Sequence, residues 1–252
     1  MCRELSSAHQ INCSSVQADL QTPEDASQKL VQAARSLFEL YSPGKPLQID
    51  ILINNAGVSS NQHLNDAEQG AIDATEFNRV YTVNVLAPLL ITQAVAPYLP
   101  TDRSGRIVSV SSVSSSIGYQ GQSVYAGSKA AVESMTRVWS RELCERATVN
   151  AINPGPAWGD MYKEAGPAFW DINQPYVDAA PLAAYNSEAS VLAMAGPDAY
   201  MFDAVVQGPM KGRRPAFTIE IAGTVDMLCS PESAWTTGSV ICANGGMKMS
   251  IA

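Results

Sequence analysis

Tyr125 and Lys129 stand four residues apart in the run Tyr-Ala-Gly-Ser-Lys. On a helix both side chains leave the same face, so a phenol and an ammonium point into one space. A free tyrosine has a pKa of about 10 and exchanges protons poorly near neutrality. A neighbouring cation favours the phenolate and turns the tyrosine into a usable general acid or base. The spacing alone is weak, because surface helices carry Tyr-x-x-x-Lys by chance. Ser112, thirteen residues earlier, adds a hydroxyl able to bond an oxygen on which charge develops or disappears. Ser109, Ser111, Ser114, Ser115 and Ser116 surround it, a pattern equally suited to a plain polar loop. Asn84 lies within an apolar stretch, where an amide disfavours helix and needs partners; it reads as a structural amide or as part of the site.

Strands and helices alternate around these residues. Met1 to His9 reads as the end of a helix, and Ile11 to Val16 as a short strand closing at Ala18-Asp19-Leu20. Thr22-Pro23-Glu24-Asp25 is a helix start, with a capping hydroxyl, a first-turn proline and acids that complement the dipole. Leu30, Ala33, Ala34, Leu37 and Phe38 recur at helical spacing until Pro43-Gly44-Lys45-Pro46. Ile49 to Ile53 is nearly continuous apolar sequence, as in strands covered on both faces of a parallel sheet. Helices at about Thr75 to Tyr98 and Ser123 to Arg146 alternate with strands Arg106 to Val110 and Thr148 to Ile152. A helix Phe217 to Leu228 and a strand Ser239 to Cys242 complete the series. The order predicts a single α/β domain over residues 1–252, built on a doubly wound parallel sheet. Ser112 then falls at the carboxyl end of a strand, where such sheets bind ligands.

Composition narrows the function. The 252 residues, 46% of them hydrophobic, suffice for one sizeable core. Lys and Arg number 16 against 24 Asp and Glu, and a net charge of −8 repels phosphate backbones and anionic lipid. Nucleic acid and membrane are therefore not expected as partners. The most apolar stretch, Val85 to Leu99, is interrupted by Thr92, Gln93 and Pro97, and no charged-then-apolar leader opens the chain. Cys2, Cys13, Cys144, Cys229 and Cys242 form no Cys-x-x-Cys pair, which suits reduced thiols in the cytoplasm. With His9 and His63 the only histidines, no metal centre is expected.

Asn54-Asn55-Ala56-Gly57, then Asn84, Ser112, Tyr125-x-x-x-Lys129, Asn153-Pro154-Gly155 and finally Asn244-Gly245-Gly246 occur in an order and spacing that resemble the short-chain dehydrogenase/reductase family. The resemblance implies a Rossmann-like fold and hydride transfer between NAD or NADP and a carbonyl or alcohol. It makes Tyr125 the catalytic acid/base and Ser112 the group that orients and polarises the carbonyl. Lys129 would lower the tyrosine pKa and hold the nicotinamide ribose, and Asn84 would anchor a water in the proton relay. Asp19 would meet the adenine, Asn55, Ala56 and Gly57 would flank the adenosine ribose, and Pro154 and Gly155 would pack near the nicotinamide. A homo-oligomer, dimer or tetramer, is also implied.

Two departures qualify this. The family opens with a strand and a Thr-Gly-x-x-x-Gly-x-Gly turn that receives the pyrophosphate at a helix N-terminus. No such glycine spacing occurs in the 252 residues, so the chain is expected to start inside the fold, its first βαβ unit missing. Strand order in the family would then leave Ile11 to Val16 about three strand spacings, ~14 Å, from Ile49 to Ile53. The residue that chooses NAD or NADP belongs to the missing part. Second, where the family often has a threonine for the carboxamide, this sequence has Gly159. Two alternatives to a reductase stay open here: a non-redox acid/base catalyst (isomerase, dehydratase or cyclase) and a silent binding partner.

Residues 156–214 read as a substrate-covering insertion rich in Pro, Gly, Ala and aromatics. Trp158, Met161, Tyr162, Phe169, Trp170, Tyr176, Tyr185, Met194, Tyr200, Met201, Phe202 and Met210 suit a medium-sized apolar or aromatic small molecule, with Trp158, Asp160 and Met161 as its first contacts. The same residues suit a packed helical lid equally well.

Overall fold

The computed structural model describes residues 2–249. Four strands form one parallel sheet: β1 (Ile51–Asn54), β2 (Gly105–Val110), β3 (Ala147–Pro154) and, late in the chain, a strand Val240–Ala243, in the order β1-β2-β3-Val240 strand. β2 and β3 are buried almost throughout, with Ile107, Val149, Ala151 and Ile152 at 0% exposure. Side chains alternate across a strand. Ile107 and Val149 therefore face one helical layer, which supplies Ile91, Val95 and Trp139. Val108 and Ile152 face the other, where Leu228, Ile221 and Val225 cover them. Helices on both faces are what a parallel sheet requires, because each face is apolar.

The first layer comprises α2 (Pro23–Tyr41), α3 (Ala74–Tyr81), α4 (Ala87–Val95) and α5 (Ser123–Glu142), and α1 (Cys2–His9) precedes them in the chain. α1 buries no residue. Met1 and residues 250–252 lie outside the described residues. Thr22 does not cap α2 as expected: its hydroxyl donates to the Asp19 carbonyl instead. Asp73 caps α3 by accepting from Glu76 N at 2.8 Å. The expected helix over Thr75 to Tyr98 is present but not uniform. Thr82–Leu86 is a π turn between α3 and α4, and Ala96–Tyr98 tightens to 3-10 geometry before Leu99. The run Ala74–Tyr98 is long and apolar enough to cross a membrane by length and composition. In the fold it is a core helix, with Val80, Val83, Ala87, Ile91 and Val95 buried.

After β3, a two-residue strand β4 (Ala157–Trp158) pairs in parallel with Ala216–Phe217, henceforth β5. This ribbon brackets a helical cap of α6 (Asp160–Asp178), α7 (Ala189–Ala195) and α8 (Ala199–Gln207). α6 kinks at Gly166, whose φ of 73° is in the left-handed region and is followed by Pro167. α9 (Thr218–Cys229) then leads to the last strand, β6 (Val240–Ala243).

The expected strand Ile11 to Val16 does not form. These residues are extended coil with Ile11 and Val16 largely exposed. A strand needs a ladder partner, and among the described residues none runs beside it. Nor does the segment stand apart from the sheet: Val16, Ala18 and Leu20 line one groove with Leu52 and Ile53 of β1. β1 is thus a sheet edge among the described residues, with Ile51 and Ile53 each 46% exposed. An apolar edge with open backbone groups templates association between chains. Ile51→Glu, which sets a carboxylate in register with Arg106, is expected to slow aggregation measured by light scattering. It should change unfolding free energy by less than about 1 kcal/mol, as substitutions of exposed residues do.

Candidate active site

The site lies at the carboxyl ends of β1, β2 and β3. Beyond its last paired residue, β2 still follows β3: Ser111 N donates to the Ile152 carbonyl at 2.9 Å and Val113 N to the Pro154 carbonyl at 2.8 Å. That ladder places Ser112 at the mouth of a cavity of about 310 Å³. Ser112 Oγ accepts from Ser114 N at 3.2 Å and bonds Ser114 Oγ at 3.0 Å, and its carbonyl accepts from Asn153 Nδ2 at 3.0 Å.

Tyr125, Lys129 and Glu133 follow at i, i+4 and i+8 on α5 and face this loop together. Glu133 was not anticipated from the sequence. Its Oε1 accepts from Ser111 Oγ at 2.7 Å, Ser115 Oγ at 2.6 Å and Asn153 Nδ2 at 3.0 Å. One carboxylate oxygen thereby ties the ends of β2 and β3 to the helix that carries Tyr125. Its helical register with Tyr125 and Lys129 was the available signal.

Asn84 is buried in the π turn. Its Oδ1 accepts from Val58 N at 2.9 Å, while its Nδ2 donates to the Val58 carbonyl at 2.9 Å and to Ser128 Oγ at 3.0 Å. Ser128 Oγ in turn donates to the Tyr125 carbonyl at 2.7 Å. Both amide donors are therefore committed to clamping the loop after β1 onto α5, which leaves the expected water-anchoring role no free N–H on this side chain.

Electrostatics differ from the expectation for the pair. Lys129 Nζ donates to the Val110 carbonyl at 2.8 Å and lies 5.7 Å from the Tyr125 ring centre. Burial pushes Lys129 from 10.5 down to about 8. Burial also raises the Tyr125 phenol above its ordinary value, against a smaller downward pull from its hydrogen bond with Ser112. Desolvation outweighs that bond, and the Lys129 ammonium is turned to a backbone carbonyl.

Of the residues expected at the site, Asn55, Gly57, Ser112, Tyr125, Lys129, Pro154, Gly155, Asp160 and Met161 line the cavity together. Asn84 stands behind it. Ala56 turns to the groove beside β1, and Asp19 is exposed at the turn into α2, its carboxylate accepting from Gln21 N at 2.9 Å. Trp158 is a correction. Its side chain is buried among Tyr162, Trp170 and Phe202 rather than in the cavity. Tyr185 and Phe202 of the cap share that core with Met210 and Phe217, whereas Met161, Tyr162 and Phe169 also line the cavity.

The residues present fit one end of a dinucleotide. A Cβ on Gly57 would lie 3.2 Å from Lys129 Nζ and 3.3 Å from Asn84 Oδ1, so bare backbone keeps that approach open. Lys129 uses one of its three donors on Val110 and has others for ribose hydroxyls. Gly159, the N-cap of α6, and Thr218 both line the cavity where the family's threonine would stand. Among the described residues no group of His, Cys, Asp and Glu could hold a metal.

A family model for short chain dehydrogenases matches residues 1–168. The L-xylo-3-hexulose reductase of Hypocrea jecorina is 69% identical over the whole of this chain and 84% of its own length. The L-xylulose reductase of Aspergillus niger is 52% identical over 98% of this chain and 83% of its own. A solved glucose/ribitol dehydrogenase from Brucella melitensis superposes with a TM-score of 0.68 at 22% identity, over 94% of this chain and 77% of that one; it shares the fold. The chain belongs to the short-chain dehydrogenase/reductase family and is an oxidoreductase that uses a nicotinamide cofactor.

Substitutions at two positions test the electrostatic reading. Glu133→Ala leaves three donors without their acceptor and should cost about 3 kcal/mol in urea denaturation, whereas Glu133→Gln keeps an acceptor and should cost roughly half as much. For Lys129, the fold favours the neutral form between about 8 and 10.5, where the unfolded chain binds the extra proton, so stability rises with pH. Relative to Lys129→Met, the wild type should gain roughly 2 kcal/mol between about pH 7 and about pH 10.

Proposed function

We propose that the chain reduces the carbonyl of a polyhydroxylated ketone of the ketose type, with NADH or NADPH as reductant. The observation that carries the reading is that Ser112, Tyr125 and Lys129 line one cavity together. Asn55, Gly57, Lys129, Pro154 and Gly155 would hold the nicotinamide riboside, which when bound supplies a hydride to the carbonyl carbon. Ser112 Oγ orients the carbonyl oxygen and draws off its charge, and Tyr125 gives that oxygen the phenolic proton. Ketone, hydride and proton together make one secondary alcohol, and the cofactor leaves oxidised.

Lys129, at the same cavity, supplies the positive field that stabilises the phenolate left when the proton is given. Asn84 and Glu133 act as positioning residues, since each fixes the helix of Tyr125 to a strand end. Asp160 and Met161, both exposed at the mouth, would border the substrate. The names of the relatives support a sugar-like substrate, and five unpaired cysteines suit a reducing compartment such as the cytoplasm. Assembly as a homo-oligomer is part of the same reading.

NADPH or NADH oxidation with L-xylulose tests this. Tyr125→Phe should lower kcat by 10²- to 10⁴-fold, roughly the range for loss of a general acid, while quenching of tryptophan emission by cofactor persists. Activity of the wild type should fall as pH rises past about 8, where Lys129 loses its charge. A folded chain that binds neither cofactor would overturn the proposal.

A further inference from the structure

Five buried side-chain polar atoms have no hydrogen-bond partner among the described residues: Gln122 Oε1, Thr148 Oγ1, Trp158 Nε1, Tyr162 Oη and Gln174 Oε1. Of the residues that bear them, Gln122 and Tyr162 line the cavity over Ser112 and Tyr125, and the other three do not. An orphaned buried polar atom costs about 1–3 kcal/mol, so two on one cavity wall point to a missing polar ligand.

Both side chains are held in place by contacts that do not use the orphaned atom. Gln122 is 5% exposed, and its Nε2 donates to Asn61 Oδ1 at 2.9 Å at the cavity rim. The loop carrying Asn61 is pinned to the Gln122 loop, since Gln62 N donates to the Gly121 carbonyl at 2.7 Å. That leaves the Gln122 carbonyl oxygen with acceptor capacity. Tyr162 is 7% exposed, and its ring is fixed by stacking on Trp170 at 6.1 Å and an edge contact with Phe169 at 6.0 Å. Burial raises its phenol well above the ordinary value, so it stays protonated and available as a donor.

We infer that Gln122 and Tyr162 form a hydroxyl-reading subsite, in which the Gln122 carbonyl accepts from and the Tyr162 phenol donates to hydroxyls of the substrate chain beyond the reacting carbonyl. This rests on the ketose-reduction reading and deepens it. An acceptor and a donor, each buried and each without an internal partner, match a polyol carbon chain, whose every hydroxyl both donates and accepts. An apolar ketone would leave both atoms orphaned. Discrimination by unmet hydrogen bonds in a dry site is far steeper than discrimination by apolar contact.

The test compares L-xylulose with 2-pentanone, which has the carbonyl but no hydroxyls, for wild type, Gln122→Met and Tyr162→Phe. Each variant should lower kcat/KM for L-xylulose at least tenfold and leave that for 2-pentanone within about twofold, a tenfold loss being 1.4 kcal/mol. Tyr162→Phe should also melt no lower than the wild type, because the removed hydroxyl bonds nothing in the free protein, whereas Gln122→Met also loses the bond to Asn61 and should melt slightly lower. A purely structural role would instead lower Tm and both activities together. Equal loss on both substrates, or none, with wild-type L-xylulose reduction intact, overturns the subsite and leaves the reductase reading standing. Wild-type reduction of 2-pentanone in preference to L-xylulose overturns the subsite and the substrate class while redox chemistry remains. Reduction of neither ketone overturns the reductase reading, and the subsite with it.

Discussion

Three hydrogen bonds converge on one carboxylate oxygen, Glu133 Oε1, and the geometry of the site depends on them. Ser111 and Ser115 belong to the loop after β2, Asn153 ends β3, and Glu133 sits two turns along α5 from Tyr125. A parallel sheet by itself aligns strand ends but leaves the loops beyond them free. Bonds to a charged acceptor are about twice as strong as neutral ones, and these three bring two strand ends and one helix into a single arrangement. Asn84 performs the matching task on the other side, joining the loop after β1 to α5 through Val58 and Ser128. Tyr125 is therefore held from two directions before any ligand arrives.

Desolvation dominates the chemistry of that arrangement. Tyr125 and Lys129 share a helical face, yet the cation does not produce a phenolate in the free site. Both groups are pushed toward their neutral forms, and the ammonium is occupied by the Val110 carbonyl. The cap's aromatic residues pack largely on one another, and beside them Gln122 and Tyr162 each bring a buried polar atom without a partner among the described residues to the wall of one cavity.

The edge of the sheet follows different physics. β1 pairs with β2 on one side only among the described residues, and its isoleucines remain half exposed. Apolar alternation normally signals a covered strand, but coverage is supplied by neighbours and not by the strand itself. The coil at Ile11 to Val16 shows the same dependence, since its β-branched residues adopt no ladder without a partner.

By itself the sequence determined the alternation of strands and helices and the parallel sheet, and it marked Ser112, Tyr125 and Lys129, which line one cavity. These are legible because apolar periodicity and residue spacing are local, and a helix or a buried strand imposes its period directly on the chain. Tertiary structure alone decided the rest. Glu133 joined the site because three donors from distant segments met it. Trp158 left the site because the cap's own core was the larger apolar surface. Asn84 became a clamp because its amide found Val58 and Ser128, and the Tyr125 pKa rose because burial exceeded the pull of its hydrogen bond with Ser112. Each of these turns on which groups lose water together, and that is set by packing between residues far apart in the chain.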